Sequence, residues 1–301
     1  MRRISSLMVL LAALLSVPAR CQPNSQSAPR PVTLRVQVPV IALQGTGSID
    51  LCRNRLSVIE NGKRQLVVSC APDVRPLALG VLVDSSSSMK PHASSVREIL
   101  TQVLQDEVAG GERHLFLSAA TLQRVVPPPG YNGSLVDLLT VVENKSRTAI
   151  LDHLHDAALR LSNAPGTRKI LVILSDGDDN LSEIPEKKLI ETLQRTQVTL
   201  VYFLLYNLRD TFQGELRTSK LLMELADATG GALLLVRDSA DRARATQALS
   251  SITRGAALLS YDSPTSALDG SVRKIKIELE QESGRPPLRL HYRQGYYAPN
   301  Q

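Results

Sequence analysis

The sequence predicts an α/β protein: a doubly wound, mostly parallel sheet with helices on both faces, carrying a small β appendage built from the N- and C-terminal segments. Three observations predict it. Short apolar runs alternate with helical periodicity from about Val74 to Arg254. Both flanks read instead as strands with period-two alternation and turn signals. The run Leu79-Gly80-Val81-Leu82-Val83 is apolar without alternation, as a strand buried on both faces requires, and it stops abruptly at Asp84-Ser85-Ser86-Ser87-Ser88-Met89.

The chain opens with Arg2 and Arg3 ahead of an apolar run from Leu7 to Val17, then Val17-Pro18-Ala19. This is the pattern of an export signal over residues 1–21, cut after Ala19 or after Cys21. A buried N-terminal helix would not explain the paired arginines or the polar linker 22–31 that follows. The run is short for a membrane span. Arg20 is too large for the residue before a lipid-bearing cysteine, so anchoring at Cys21 is not expected, and the mature protein is expected to be periplasmic or secreted.

An N-terminal β segment, 32–73, begins with the alternating Leu34-Arg35-Val36-Gln37-Val38. Its hairpin, Leu56 to Val68, turns at Asn61-Gly62, a pair that accepts the positive φ angles of a tight turn. Cys52 and Cys70 flank that hairpin. In an exported chain such a pair suggests a disulfide, the alternative being two buried thiols.

In the central block, 74–254, strands are expected at Ala78–Val83, His114–Ala119, Ile170–Ser175, Val198–Leu205 and Ala232–Val236. Helices are expected at Ser95–Glu107, Ile150–Leu161, Glu186–Arg195, Leu216–Ala228 and Ser239–Thr253. Pro127-Pro128-Pro129-Gly130 and Asn163-Ala164-Pro165-Gly166 read as loops. A C-terminal β segment, 255–301, contains the alternating Val272 to Glu280 and then Leu288-Arg289-Leu290-His291-Tyr292. Neither terminal segment is large enough to fold alone, so the two are expected to pack together or on the central domain.

Composition narrows the function. At 301 residues with 43% apolar and 21% charged side chains, the chain is ordinary for a globular protein of about two domains. Aromatics make up 3% and Trp is absent, which argues against a base-stacking platform for nucleic acid. Arg2, Arg3 and Arg20 leave with the signal and no acid does, so the formal charge of +6 becomes +3. The remaining cations are dispersed, as solvated faces are.

Asp84, Ser86 and Ser88 stand at alternate positions where the apolar run ends. Three oxygens delivered from the C-terminal end of a strand suit a hard cation, and that end is where open α/β sheets place ligands. Asp176 follows the strand ending at Ser175 and should emerge at the same end. Thr148 precedes the helix at Ile150, where its hydroxyl can face the same cleft or cap the helix.

These words resemble the von Willebrand factor type A fold, whose metal-ion-dependent adhesion site (MIDAS) is written Asp-x-Ser-x-Ser, then a loop threonine, then a loop aspartate. The resemblance covers about residues 74–254 through Val83 to Met89, Thr148 to Asp152 and Leu174 to Asn180. The flanks look like the VWFA-related family of acidobacterial exported proteins, through Leu56 to Lys63 and Arg293 to Ala298. One departure is Ser87, where the family usually has glycine. The resemblance implies that Ser86 and Ser88 bind a metal directly, and that Asp84 and Asp176 bind it directly or through water. Thr148 would complete the shell. Mg²⁺ suits such a set best, with Mn²⁺ or Ca²⁺ as other occupants. An open position would accept a carboxylate from a partner protein or envelope ligand, giving a non-enzymatic adhesion module.

Other readings weigh against that one. A metal-dependent hydrolase or phosphotransferase could use Asp84 as nucleophile, but haloacid-dehalogenase-type enzymes need a second carboxylate where Ser86 stands. The serine cluster forms no Gly-x-Ser-x-Gly elbow. A structural domain with a vestigial site is the third reading. Asp178 and Asp179 lack the remaining ligands of a calcium loop and are expected in a solvated turn. Asp152 is expected to act on the dipole of its helix. His153 and His155 lie on different helix faces, and Tyr292, Tyr296 and Tyr297 read as strand packing.

Overall fold

The computed structural model describes residues 34–43, 50–53, 56–105, 111–139, 148–165, 168–205, 212–263, 269–280 and 288–300, with backbone alone for 212–219. The export signal and the linker expected at 1–31 lie outside the described residues.

In chain order, β1 (Leu34–Leu43), β2 (Leu56–Glu60), β3 (Lys63–Gln65) and β4 (Val67–Pro72) precede β5 (Leu77–Asp84). A 3-10 turn over Ser87–His92 leads into α1 (Ala93–Gln105), β6 (Glu112–Ser118), β7 (Leu122–Val125) and α2 (Leu135–Leu139). Then come α3 (Ile150–Ser162), β8 (Arg168–Ser175), α4 (Glu186–Thr196), β9 (Thr199–Leu205), α5 (Phe212–Thr229), β10 (Ala232–Val236) and α6 (Ser239–Arg254). The chain closes with β11 (Ala257–Ser263), β12 (Val272–Leu279), β13 (Arg289–Tyr292) and β14 (Gly295–Tyr297).

Six strands form the central sheet in the order β10-β9-β8-β5-β6-β7. All neighbours run parallel except the edge pair β6 and β7. Every residue of β5 is buried, which explains its unbroken apolar run. Helices cover both faces. Val96, Ile99, Leu100 and Val103 of α1 line one face at helical spacing, beside Leu249 and Ile252 of α6. Leu154, Ala158 and Leu161 of α3, with Leu189 and Leu193 of α4 and Leu222 and Leu225 of α5, line the other. This is a doubly wound α/β domain.

The appendage is larger than expected. Two four-stranded sheets, β13-β1-β11-β4 and β14-β12-β2-β3, enclose a core of their own. Each sheet is woven from both chain ends: β1 lies between β11 and β13, and β2 pairs with β12. Alternation along β1 lets Val36, Val38 and Val40 face that core while Ile41 joins the core under α6. Asn61 and Gly62 turn the β2–β3 hairpin at φ of 46° and 80°. Cys52 and Cys70 are joined by a disulfide with a Cα separation of 5.4 Å. Among the described residues no helix is long and apolar enough to cross a membrane.

Candidate metal centre

Strand register brings three polar residues side by side at one edge of the sheet. Asp84 ends β5 opposite Ser118 of β6, and Val83 pairs with Leu174, so Ser175 ends β8 next to Asp84. The Asp84 carboxylate is buried, and Oδ2 accepts from the Ser175 hydroxyl at 2.7 Å. Its Oδ1 accepts from the Ser86 amide at 2.9 Å, closing an Asx turn that bends the chain out of the strand.

The serines after Asp84 divide by position. Ser85 donates from its amide and its hydroxyl to the Ser118 carbonyl, at 3.0 and 2.8 Å, and so ties the loop to β6. Ser86 and Ser88 share a hydroxyl contact of 2.9 Å, while Ser87 points to solvent. Met89 folds back beneath the loop, and its sulfur accepts from the Asp176 amide at 3.2 Å. The β5 and β8 loops are thereby fastened together.

Thr148 reaches the same carboxylate. Its hydroxyl is buried and donates to Asp84 Oδ1 at 3.4 Å, so it faces the cleft and does not cap α3. The start of α3 is capped from another loop: Ser182 Oγ accepts from the Leu151 and Asp152 amides, each at 3.1 Å. Asp152 returns the favour, accepting from Glu183 and Ile184 amides at 3.1 and 2.9 Å. Its carboxylate thus holds a loop, a role beyond the expected effect on the helix dipole. Asp179 accepts from the Ser182 amide at 3.0 Å and is half-buried, which corrects its reading as a solvated residue. The Asn180 amide donates to the Thr148 carbonyl at 3.3 Å, so residues 176–184 clamp Thr148 in place.

Burial pushes the Asp84 carboxyl up to about 6, and the Asp176 charge pushes it the same way. Hydrogen bonds from Ser175 and Ser86 oppose the rise without cancelling it, and no cationic side chain contributes. A buried carboxylate beside a second carboxylate and three hydroxyls, with no basic partner acting on it, is a donor set that fits a hard divalent cation. Burial also lowers the pKa of His153, whose Nδ1 lies 2.7 Å from Ser118 Oγ. A neutral imidazole there props the β6 end of the site.

Solved structures with similar architecture include a von Willebrand factor type A protein from Catenulispora acidiphila, with 14% identity over 85% of this chain and 75% of that one, at a TM-score of 0.48. Proximal thread matrix protein 1 from the mussel byssus matches at 15% identity over 65% of this chain and 49% of its own, TM-score 0.45, in a form described as having a zinc-occupied MIDAS motif. An aerotolerance-related membrane protein from Bacteroides fragilis matches at 13% identity over 58% of this chain and 98% of its own, TM-score 0.43. No family model and no curated protein matches the sequence. The fold and the chemistry of the site both rest on this chain's own strand order and residues.

Of the five residues expected at the site, Asp84, Ser86, Ser88 and Thr148 fall within one chain of hydrogen bonds. Asp176 lies within electrostatic range of Asp84, and its Oδ1 accepts from the Asp178 amide at 3.1 Å. Among the described residues no group of three or more His, Cys, Asp or Glu is placed to hold a metal, so any metal here depends on hydroxyls. Sequence reasoning missed Ser175. The signal was present, since two parallel strands in register end on Asp84 and Ser175. It also missed Met89, Ser182 and the Ser118–His153 contact, which depend on loops meeting in space.

Proposed function

We propose that the central domain is a divalent-metal-dependent binding module of the adhesion type, with Asp84, Ser86, Ser88, Thr148 and Asp176 as its metal residues. The observation that carries this reading is the convergence of the Asp84, Ser86 and Thr148 oxygens from two separate loops around a buried carboxylate without a basic partner. When bound, Mg²⁺ (or Mn²⁺ or Ca²⁺) would supply a Lewis-acidic position for a carboxylate offered by a partner protein or envelope ligand. Asp84 and Asp176 would supply the negative charge, and Ser86, Ser88 and Thr148 neutral oxygens, a shell with only two carboxylates that leaves the ion Lewis-acidic toward an anion. Ser175 and the Ser86 amide hold the Asp84 carboxylate in a fixed orientation.

A binding role is favoured over nucleophilic catalysis because Asp84 is buried and both its oxygens already accept hydrogen bonds. Action outside the cytoplasm is supported by the export-signal pattern at 1–21 and by the Cys52–Cys70 bridge, since such bridges persist in oxidising compartments. Calorimetric titration with Mg²⁺ and Mn²⁺ tests the proposal. The wild-type chain should give saturable heat that Asp84→Ala abolishes. Indistinguishable titrations of the two proteins, with both folded by circular dichroism, would sink it.

A further inference from the structure

A second charged site lies at the opposite end of the central sheet. β5 begins at Leu77, seven residues before Asp84, which places the two ends roughly 23 Å apart at the rise of a parallel strand. There the first residues of β5 and β8 meet the sandwich, and a narrow cleft, with about 20 Å³ open to the centre of a water-sized sphere, runs between them. Arg75, Arg168 and Arg293 line it, with Lys169, Ile41 and Ile252, and no acidic side chain does.

Two of the arginines are spoken for. Asp73 is buried, and Arg75 grips it through two hydrogen bonds of 2.7 Å. Arg168 Nε approaches the same carboxylate at 3.3 Å, and its remaining donors reach the carbonyls of Asp73, Ile252 and Thr253. One carboxylate thus serves two guanidinium groups.

Arg293 is different. Its backbone is pinned: His291 Nδ1 meets the Gly231 carbonyl at 2.7 Å, and the Gln294 amide donates to Ala228. Gly230, at φ 78°, permits this approach, since a Cβ there would stand 2.5 Å from the Arg293 nitrogen. The Arg293 side chain lines the cleft. Among the described residues its guanidinium has no ion pair and no hydrogen bond. Burial and the Arg75 charge both lower its pKa, to about 10, which still leaves it charged at neutral pH. A guanidinium carries five N–H donors in a planar fork matched to oxyanions. Half-buried beside two other guanidinium groups and without a counter-charge, that fork is open to an entering anion.

We propose that Arg75, Arg168 and Arg293 form an anion site at the junction of sandwich and central domain, taking a small oxyanion of the phosphate, sulfate or carboxylate kind. The fork of Arg293 provides the free donors, and the positions of Arg75 and Arg168, fixed by Asp73, supply the field. The narrow cleft excludes anything much larger than a single oxyanion group. This site needs no metal and is independent of Asp84.

The test is calorimetry on the full mature chain in chelator, with inorganic phosphate, sulfate and acetate titrated separately at fixed ionic strength. Saturable heat with at least one anion is expected, and the preferred anion separates an inorganic ligand from a carboxylate. Arg293→Gln should weaken that binding at least tenfold, while Asp84→Ala should leave it unchanged. In anion-free buffer the melting temperature of Arg293→Gln should equal or exceed that of wild type, because an uncompensated charge has gone. No heat with any of the three anions overturns the proposal, as does equal affinity in wild type and Arg293→Gln. So does a melting temperature several degrees lower for that variant, which would make the guanidinium a structural donor satisfied within the fold.

Discussion

The Ser175 hydroxyl donates to Asp84 Oδ2 at 2.7 Å across the junction of two parallel strands. At 2.7 Å, against 2.9 Å from the Ser86 amide and 3.4 Å from Thr148, it is the shortest hydrogen bond to the carboxylate at the heart of the candidate site. Ser175→Ala keeps the volume nearly constant and removes one charge-directed hydrogen bond. A loss of about 2 kcal/mol at neutral pH is expected from urea denaturation. Mg²⁺ affinity should fall as well, since the carboxylate loses its fixed orientation. An unchanged denaturation midpoint would mean that water replaces the serine without cost.

The raised pKa of Asp84 fixes a pH dependence for the metal-free protein. The folded carboxyl titrates near 6 and the unfolded one near 3.8, so the folded state holds its proton more tightly. Stability is therefore greatest below the unfolded value and declines as pH rises from about 4 to about 6. The decline from this group is about 3 kcal/mol. Asp84→Asn should flatten that part of the profile, and saturating Mg²⁺ should offset it in wild type. Urea midpoints between pH 4 and pH 7.5, with and without metal, provide the comparison. Parallel profiles for wild type and Asp84→Asn would contradict the shift.

In the sandwich, Glu60 is buried and accepts from Tyr261 and Ser263 hydroxyls, each at 2.7 Å, and from Tyr296 at 3.1 Å. The carboxylate links β2 to β11 and β14, and so joins the two sheets through their core. Tyr261→Phe removes one donor and should cost about 1.5 kcal/mol, whereas Glu60→Ala removes the acceptor shared by three hydroxyls and should cost about 3 kcal/mol or more. Chemical denaturation of the three proteins checks the ratio; equal costs would show that the hydroxyls find other acceptors.

The Cys52–Cys70 bridge closes a sequence separation of 18 residues around the β2–β3 hairpin. Chain-entropy arguments assign such a loop about 3 kcal/mol of stabilisation. Replacing both cysteines by alanine should lower the melting temperature by several degrees, and adding reductant to wild type should do the same. A wild-type melting curve that ignores reductant would remove this contribution.

Much of the architecture was legible because its signals are local. The five parallel strands and five long helices lie within a few residues of their expected bounds, for example α4 at Glu186–Thr196 against Glu186–Arg195. The antiparallel edge strand β7 was not expected. Leu122-Gln123-Arg124-Val125 is four residues long with half its side chains exposed, and it becomes a strand through its register with Leu115 to Ser118. The five-residue helix α2 is equally brief. The size of the appendage was also hidden, since neither flank announces that β1 will lie between two strands from the opposite end.

At the site, spacing after an apolar strand singled out Asp84, Ser86 and Ser88, element ends added Asp176 and Thr148, and the resemblance supplied their roles as ligands. Hydrophobic periodicity likewise determined which segments are strands or helices and which of their faces are buried. Tertiary structure decided which loop ends meet: that Ser175 orients Asp84, that Ser182 caps a helix begun thirty residues earlier, and that Arg293 enters a cleft beside Arg75 and Arg168. The reason is physical. Burial and periodicity act within a segment, whereas hydrogen bonds and unbalanced charge depend on distances between segments far apart along the chain, and those distances exist only once the sheet has formed.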